Sequence, residues 1–349
     1  MSTLAPEHTA IFTARGPLSE LLMDLLQGRT DRTDLSPLAP TARVTASAAD
    51  DALTDDDLQL ALFILYGLHY GSIPGVDDGW EWQPDLIAAR RILEERFEER
   101  LRVVVATPDL PDATQDDVAR ALFELTAPTP GPSLSRFVAK TATLEQLREF
   151  LIQPSIYTLR EADPHSWAIP RLTGRAKTAL VEIQFDEYGS GSPARMHAGI
   201  FAKTMRGLGL DDSYAAYVDA VPAITLASQN MMSMFGLNRR LRGAIAGHLA
   251  AFEMTSSLPN RSYGDGFRRL GFDAEVTDYF DEHVEADAVH EQIAARDLAG
   301  ALVADEPELL ASVFFGAAAC LALDELVADH IHDAWKDGRS SLREPGSAR

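Results

Sequence analysis

The sequence predicts an all-α protein. No stretch sustains the alternation of a half-buried strand, and the run Val103–Val105 is too short to argue for a sheet. Beyond about residue 131, apolar residues recur at three- and four-residue spacing almost throughout. Capping signals open several of these stretches, as at Thr143 with Gln146.

Taken in order, residues 1–52 mix Pro, Thr, Ser, Asp and Ala around one apolar piece, Leu18–Leu26. They read as a flexible arm with room for one helix. Residues 53–130 read as a helical extension. Thr54 with Asp57 resembles a capping box, and Leu58–Leu68 is almost wholly apolar, as a buried helix requires. After the loop Gly71–Trp82, Pro84 begins a long amphipathic helix through Ile87, Arg91, Glu94 and Glu98. Thr114–Leu125 makes a shorter one. The string Ala127–Pro132 breaks regular structure and marks a boundary. The main domain is then expected over 131–340. Its first helix opens at Thr143 and reaches Glu161. The next shows an apolar face through Leu172, Ala176, Leu180 and Ile183, with Glu187 next in the series. Further helices are expected at 194–208, 212–221, 222–236, 238–257, 274–298 and 306–336.

Bulk composition narrows the function. The chain has 349 residues, 46% of them hydrophobic, enough for a sizeable core. Its formal net charge is −22, which repels nucleic acid and anionic membranes. Neither is expected as a partner. The single cysteine, Cys320, excludes an internal disulfide and a cysteine-built metal site. No signal segment and no apolar run of ~18 residues is read, so a cytoplasmic protein is expected.

The most telling segment is His283–His290. His283, Asp287 and His290 stand four and then three residues apart, so they form one row on a helix face. Tyr279 and Phe280 continue that row and turn it inward. Burying three such groups is costly unless something binds them, and a metal ion is the simplest candidate. Three more polar groups aim at a core from other helices: Glu161, Glu187 and His197, the last beside Ile200, Phe201 and Met205. Carboxylate and imidazole together suit iron or manganese. The same residues also suit hydrogen-bonded core positions or, for Glu187 in its acidic string, solvent. Glu161 and His165 share a four-residue spacing, but Pro164 separates them. The Glu-x-x-His pairs of ferritin-like bundles are absent.

With spacings of 26 and 10 from Glu161 to Glu187 to His197, and the final His283-x-x-x-Asp287-x-x-His290, the chain resembles the haem-oxygenase-like di-iron oxidase and oxygenase superfamily, the iron-containing redox enzymes. The resemblance runs over roughly residues 136–337. It implies a haem-oxygenase-like bundle of about seven core helices holding two irons, with O2 as co-substrate. Glu161, His197 and His290 would hold one iron, His283 and Asp287 the other, and Glu187 would bridge. Some amine-oxidising relatives add a carboxylate one turn before the third ligand, where this chain has Ala194, which leaves the second iron's shell short. Helical additions in the superfamily can serve dimerisation, so Leu58–Leu68 is expected to bury against either the bundle or the partner subunit of a homodimer.

Such a site implies a non-haem di-iron oxygenase of a biosynthetic pathway, N-oxygenating a small amine to a hydroxylamine or nitro product. Oxidative C–C fragmentation, decarboxylation or desaturation of a fatty or amino acid is the alternative. It predicts a long apolar tunnel or a carboxylate-binding Arg or Lys near the irons. A metal-binding protein without turnover and a haem-degrading enzyme are weaker readings. The chain carries no flavin or nicotinamide fingerprint, so electrons are expected from an external donor, an iron–sulfur protein or a reductase. Tyr188, beside a proposed ligand, reads as structural. Glu253, Arg261 and Tyr263 fit a polar cleft or ordinary helix packing equally well.

Overall fold

A computed structural model describes residues 12–106, 108–128 and 133–344, without the side chains of Asp287 and Ala288. Among the described residues every regular element is helical. The described residues divide into two compact units, one drawn from 12–102, 218–230 and 343–344, the other from 103–106, 108–128, 133–217 and 231–342.

The first unit holds α1 (Pro17–Leu26), α2 (Leu38–Ala48), α3 (Asp56–Tyr70) and most of α4 (Pro84–Val104). Here the arm expected over 1–52 needs correction, because it folds into two helices. Leu18, Leu22 and Leu26 of α1 and Leu38 of α2 are wholly or almost wholly buried. One acid ties α1 to α3: Asp57 accepts bonds from the amides of Leu18 and Ser19, at 2.9 and 2.8 Å, and from the Ser19 hydroxyl at 2.6 Å. A carboxylate on the free amides of a helix N-terminus satisfies donors that the helix cannot. α3 is buried on nearly every side from Leu58 to Tyr66, in keeping with its apolar stretch.

The second unit carries α5 (Gln115–Leu125), α6 (Leu134–Lys140), α7 (Leu144–Thr158), the short α8 (Asp163–Ser166), α9 (Gly174–Glu187) and α10 (His197–Gly207). It continues through most of α11 (Ala223–Leu237), then α12 (Arg242–Arg269) and α13 (Ala274–Gln292). A π-helical stretch, Ile293–Gly300, leads to α14 (Ala301–Asp305) and α15 (Leu310–Lys336). The boundary between units falls near Arg102, and residues 129–132 of the expected breaker string lie outside the described residues. Helix 212–221 is not formed. Asp211 instead accepts from the Ser213 amide at 2.8 Å, and Ala215 turns left-handed at φ 66°, leaving one 3₁₀ turn at Val218–Ala220.

α12 is the central rod, packed along α15 and α13. Its contact with α15 depends on glycine. A Cβ at Gly247 would sit 1.8 Å from the Val313 carbonyl oxygen, and one at Gly316 would sit 1.9 Å from that of Ala244. A core of Val138, Leu147, Leu151, Phe201, Phe267, Tyr279, Phe280 and Trp335 joins α6, α7, α10, α12, α13 and α15. The stretch Pro307–Lys336 corrects another expectation, because it is long and apolar enough to cross a membrane by length and composition. Here Gly316, Ala319 and Leu323 are buried in the second unit.

Candidate metal centre

Helical phase aims the polar groups inward. On α9, Ala176, Leu180, Ile183 and Glu187 are all buried, whereas Glu182 is exposed, so periodicity separated the two acids correctly. Glu161 lies in the turn that follows α7, three residues past its end at Thr158, rather than on the helix itself. His197 is the first residue of α10. Between Glu187 and His197 the chain reverses through Gly189, Ser190 and Gly191, all left-handed at φ 80°, 51° and 84°. The backbone of Ser192 and Arg195 leaves no room for a Cβ at Gly189.

Two groups of donors result. One ligand atom from each of Glu161, Glu187, His197 and His283 lies within 4.8 Å of the others. Glu187, Glu253 and His290 form a second such group. All six side chains are at most 8% exposed. Donors ~2.0–2.2 Å from an ion stand at most about 4.4 Å apart, so each group is close to the size that a bound ion sets. The backbone of Asp287 is helical within α13, and its side chain lies outside the described residues.

The grouping differs from the one the resemblance implied. His283 joins Glu161 and His197, while His290 stands with Glu253; Glu187 is common to both. α12 thus supplies an acid that the sequence left among ambiguous polar residues. Its neighbours in that ambiguity go elsewhere. Tyr263 packs against Phe150 at a tilt of 44° with ring centroids 4.4 Å apart, and Arg261 is exposed.

Partners on the far side of each donor fix its aim. His283 Nδ1 donates to the Tyr279 carbonyl at 2.8 Å, which leaves Nε2, 3.6 Å from Glu161 Oε1, for the centre. His290 Nε2 donates to Asp186 Oδ2 at 3.3 Å and turns Nδ1 toward Glu253 Oε2, also 3.3 Å away. The Tyr279 hydroxyl donates to Glu161 at 2.9 Å. A histidine whose second nitrogen is held by carbonyl or carboxylate is arranged as metal-binding histidines are. The strongest sign of fit is what remains unmet. His197 Nδ1 and His290 Nδ1 are buried without a hydrogen-bond partner, although His197 Nδ1 is only 2.9 Å from Glu187 Oε2. Oxygen and nitrogen donors converging in this way suit iron.

Burial and mutual repulsion act on these groups. Burial raises the Glu187 carboxyl above its usual range, with Glu161 and Glu253 adding to it and His197 opposing. For His290 burial works against the charged form, but Glu253, Asp186 and Glu187 outweigh it and raise the pKa to about 9. In the metal-free protein His290 is therefore charged at neutral pH, and that charge stabilises the metal-free fold below the unfolded value of ~6.5. The contribution is lost as pH rises through about 9. An ion needs the neutral ring. Iron(II) binding at pH 7 should release a proton, and apparent affinity should climb up to about tenfold per pH unit between pH 6 and 8. Calorimetry in buffers of different ionisation enthalpy measures this, and a pH-independent affinity would contradict it.

Beside the donors lies a small cavity lined by Tyr157, Glu161, His165, Gln184, Glu187, Phe252, Glu253 and Ser256 among others. His165, which shares no helix with Glu161, bonds His248 at 3.1 Å, and burial lowers its pKa to about 3, so it stays neutral. Tyr188 bonds Asp163 and Ser166.

Comparison with known proteins agrees with this geometry. A family model described as an iron-containing redox enzyme matches residues 148–325. The chain is also similar to a nitrosourea synthase of Streptomyces achromogenes subsp. streptozoticus, 27% identical over 158 residues. That alignment takes in 45% of this chain and 33% of the relative, so the chain spans about a third of the relative's length.

Proposed function

This chain belongs to the iron-containing redox enzyme family and is an iron-dependent oxidoreductase, and on that premise we propose that it N-oxygenates a small amine at a di-iron centre. Glu161, His197 and His283 would hold one iron, Glu253 and His290 the other, and Glu187 would reach both. Asp287 is proposed as a further ligand on its helical spacing from His283 and His290. When bound, two ferrous ions supply the binding and reduction of O2.

The observation that carries the amine reading is the lining of the cavity. Among its described lining residues are three glutamates and an unpaired amide oxygen, and no Lys or Arg. With the glutamates holding the irons, the rest of the lining offers hydroxyl and amide oxygens that receive N–H groups and no cationic side chain to pair a carboxylate. A fatty or amino acid substrate wants the opposite charge beside the iron. The name of the relative, a nitrosourea synthase, adds support for nitrogen chemistry.

The chain's own residues prepare the step. Tyr279 holds Glu161 through its hydroxyl, Asp186 holds His290, and Leu249, Phe252 and Tyr157 keep the cavity walls apolar where no donor is needed. In the overall reaction one oxygen atom enters an N–H bond to give the hydroxylamine, the other leaves as water, and two electrons and two protons enter. The electrons come from an external donor, an iron–sulfur protein or a reductase.

Incubating iron-loaded protein with a panel of small primary amines, a reductant and O2 should yield hydroxylamine or nitro products by mass spectrometry. Finding only C–C cleavage or decarboxylation products, or no amine consumed, would refute the proposal.

A further inference from the structure

Gln184 sits on α9 one turn before Glu187, 3% exposed, and lines the same cavity. Its amide is held in one orientation. Nε2 donates to the Ala162 carbonyl and to Ser166 Oγ, both at 2.7 Å. The Tyr188 hydroxyl donates to Asp163 Oδ1 at 2.7 Å, so at the 2.9 Å contact between them Ser166 donates to Tyr188. Both ends of this chain of bonds are acceptors that cannot donate, a carbonyl and a carboxylate. Reversing the amide would press its oxygen against the Ala162 carbonyl. Ala162 is itself left-handed at φ 74°, a strained setting for a residue with a Cβ, and such strain gathers at functional sites.

The consequence is an amide oxygen, Gln184 Oε1, that is buried and has no hydrogen-bond partner. An unmet buried acceptor is costly, and a fold that spends several bonds to aim one leaves it for something else to meet. The carboxylates in the cavity belong to the metal centre, and the Tyr157 and Ser256 hydroxyls can donate as well as accept, whereas the neutral Gln184 oxygen only accepts. A carboxylate stabilises a protonated amine, whose nitrogen has no lone pair to react, whereas a neutral amide oxygen takes an N–H without fixing the positive charge.

We infer that Gln184 Oε1 receives an N–H of the substrate, so that it selects nitrogen-bearing molecules and sets which nitrogen faces the metal centre. This rests on the amine reading above and names the residue that carries it. Gln184 is a specificity-determining residue, held by Ala162 and by the Ser166–Tyr188–Asp163 relay.

The test uses an amine that the screen above shows to be consumed, together with its N-methyl analogue, which lacks one N–H. Gln184→Met keeps the length and removes the acceptor. It is expected to bind iron as the wild type does and to raise KM about 10–100-fold, with a smaller change in kcat. Wild type should discriminate against the N-methyl analogue, and the variant should lose most of that discrimination, which a merely structural role would not produce. A crystal structure of the iron-loaded wild type with the amine, kept free of O2, should place a substrate nitrogen within ~3.2 Å of Gln184 Oε1. If the variant fails to load iron, this complex decides. A consumed amine whose KM moves less than twofold in Q184M, or whose nitrogens lie away from Gln184, overturns the inference and leaves the amine reading standing. If no amine is consumed, that reading fails and the inference falls with it.

Discussion

Glu187→Ala is expected to abolish iron binding at both donor groups and to remove activity. The reason is its position: among the described side chains it is the one within ligand distance of the Glu161–His197–His283 group and of the Glu253–His290 group. Removing it leaves the buried donors around both positions with a changed charge balance. The loss should exceed the ~10–100-fold that follows from deleting a partner outside the metal's own ligands. Glu253→Gln should act on one side only, keeping about one iron per chain where the wild type keeps two. Anaerobic loading, desalting and colorimetric iron determination report both outcomes. Two irons retained by the Glu187 variant would remove the ground for a shared carboxylate.

The largest effect on stability is expected far from the iron donors, at the crossing of α12 and α15. A Cβ at Gly247 or Gly316 would fall 1.8 or 1.9 Å from a carbonyl oxygen of the facing helix. The obstruction is backbone, so no rotamer change relieves it and the two rods must separate. Overpacking of a flexible core costs ~1–3 kcal/mol, and this case belongs at or above the top of that range. Gly247→Ala and Gly316→Ala should each lower Tm by at least about 6 °C, taking ~2–4 °C per kcal/mol for a domain of this size. Gly199→Ala on α10 is the matched control. Nothing lies closer than 3.8 Å to a Cβ there, and its Tm should stay level or rise slightly. A thermal melt showing Gly247→Ala as stable as Gly199→Ala would contradict the close crossing.

Much of the centre was legible because its donors obey helical phase. His283 and His290 follow Tyr279 and Phe280 onto a buried face of α13, and Glu187 completes the apolar series of α9. Glu253 obeys the same phase but sits alone on α12, with the other donors on different elements. Its meaning lies in distances that no spacing within α12 encodes. Asp186 was hidden for a related reason. It is half-exposed in an acidic string, and only the approach of His290 distinguishes it from a solvated acid. The N-terminal arm misled through composition, because its Pro, Thr and Ser residues looked unstructured. The leucines of α1 and the amides capped by Asp57 needed a partner more than thirty residues away. The membrane-length apolar stretch at Pro307–Lys336 shows the converse: composition alone cannot tell a core rod from a spanning one.

The π-helical stretch Ile293–Gly300 begins three residues after His290 and makes room for one residue more than an α-helix would hold in the same rise. Its carbonyls and side chains meet α5 and α9, where Gln115 bonds the Arg296 carbonyl and Arg175 pairs with Asp297. Dropping a single residue from this stretch would swing everything downstream by roughly 100° about the helix axis while His283 and His290 kept their places. The motif can thus survive intact in a sequence whose following helices are out of step with it. In comparing related chains, the number of residues between His290 and Gly300 is a better guide to a shared architecture than the motif by itself.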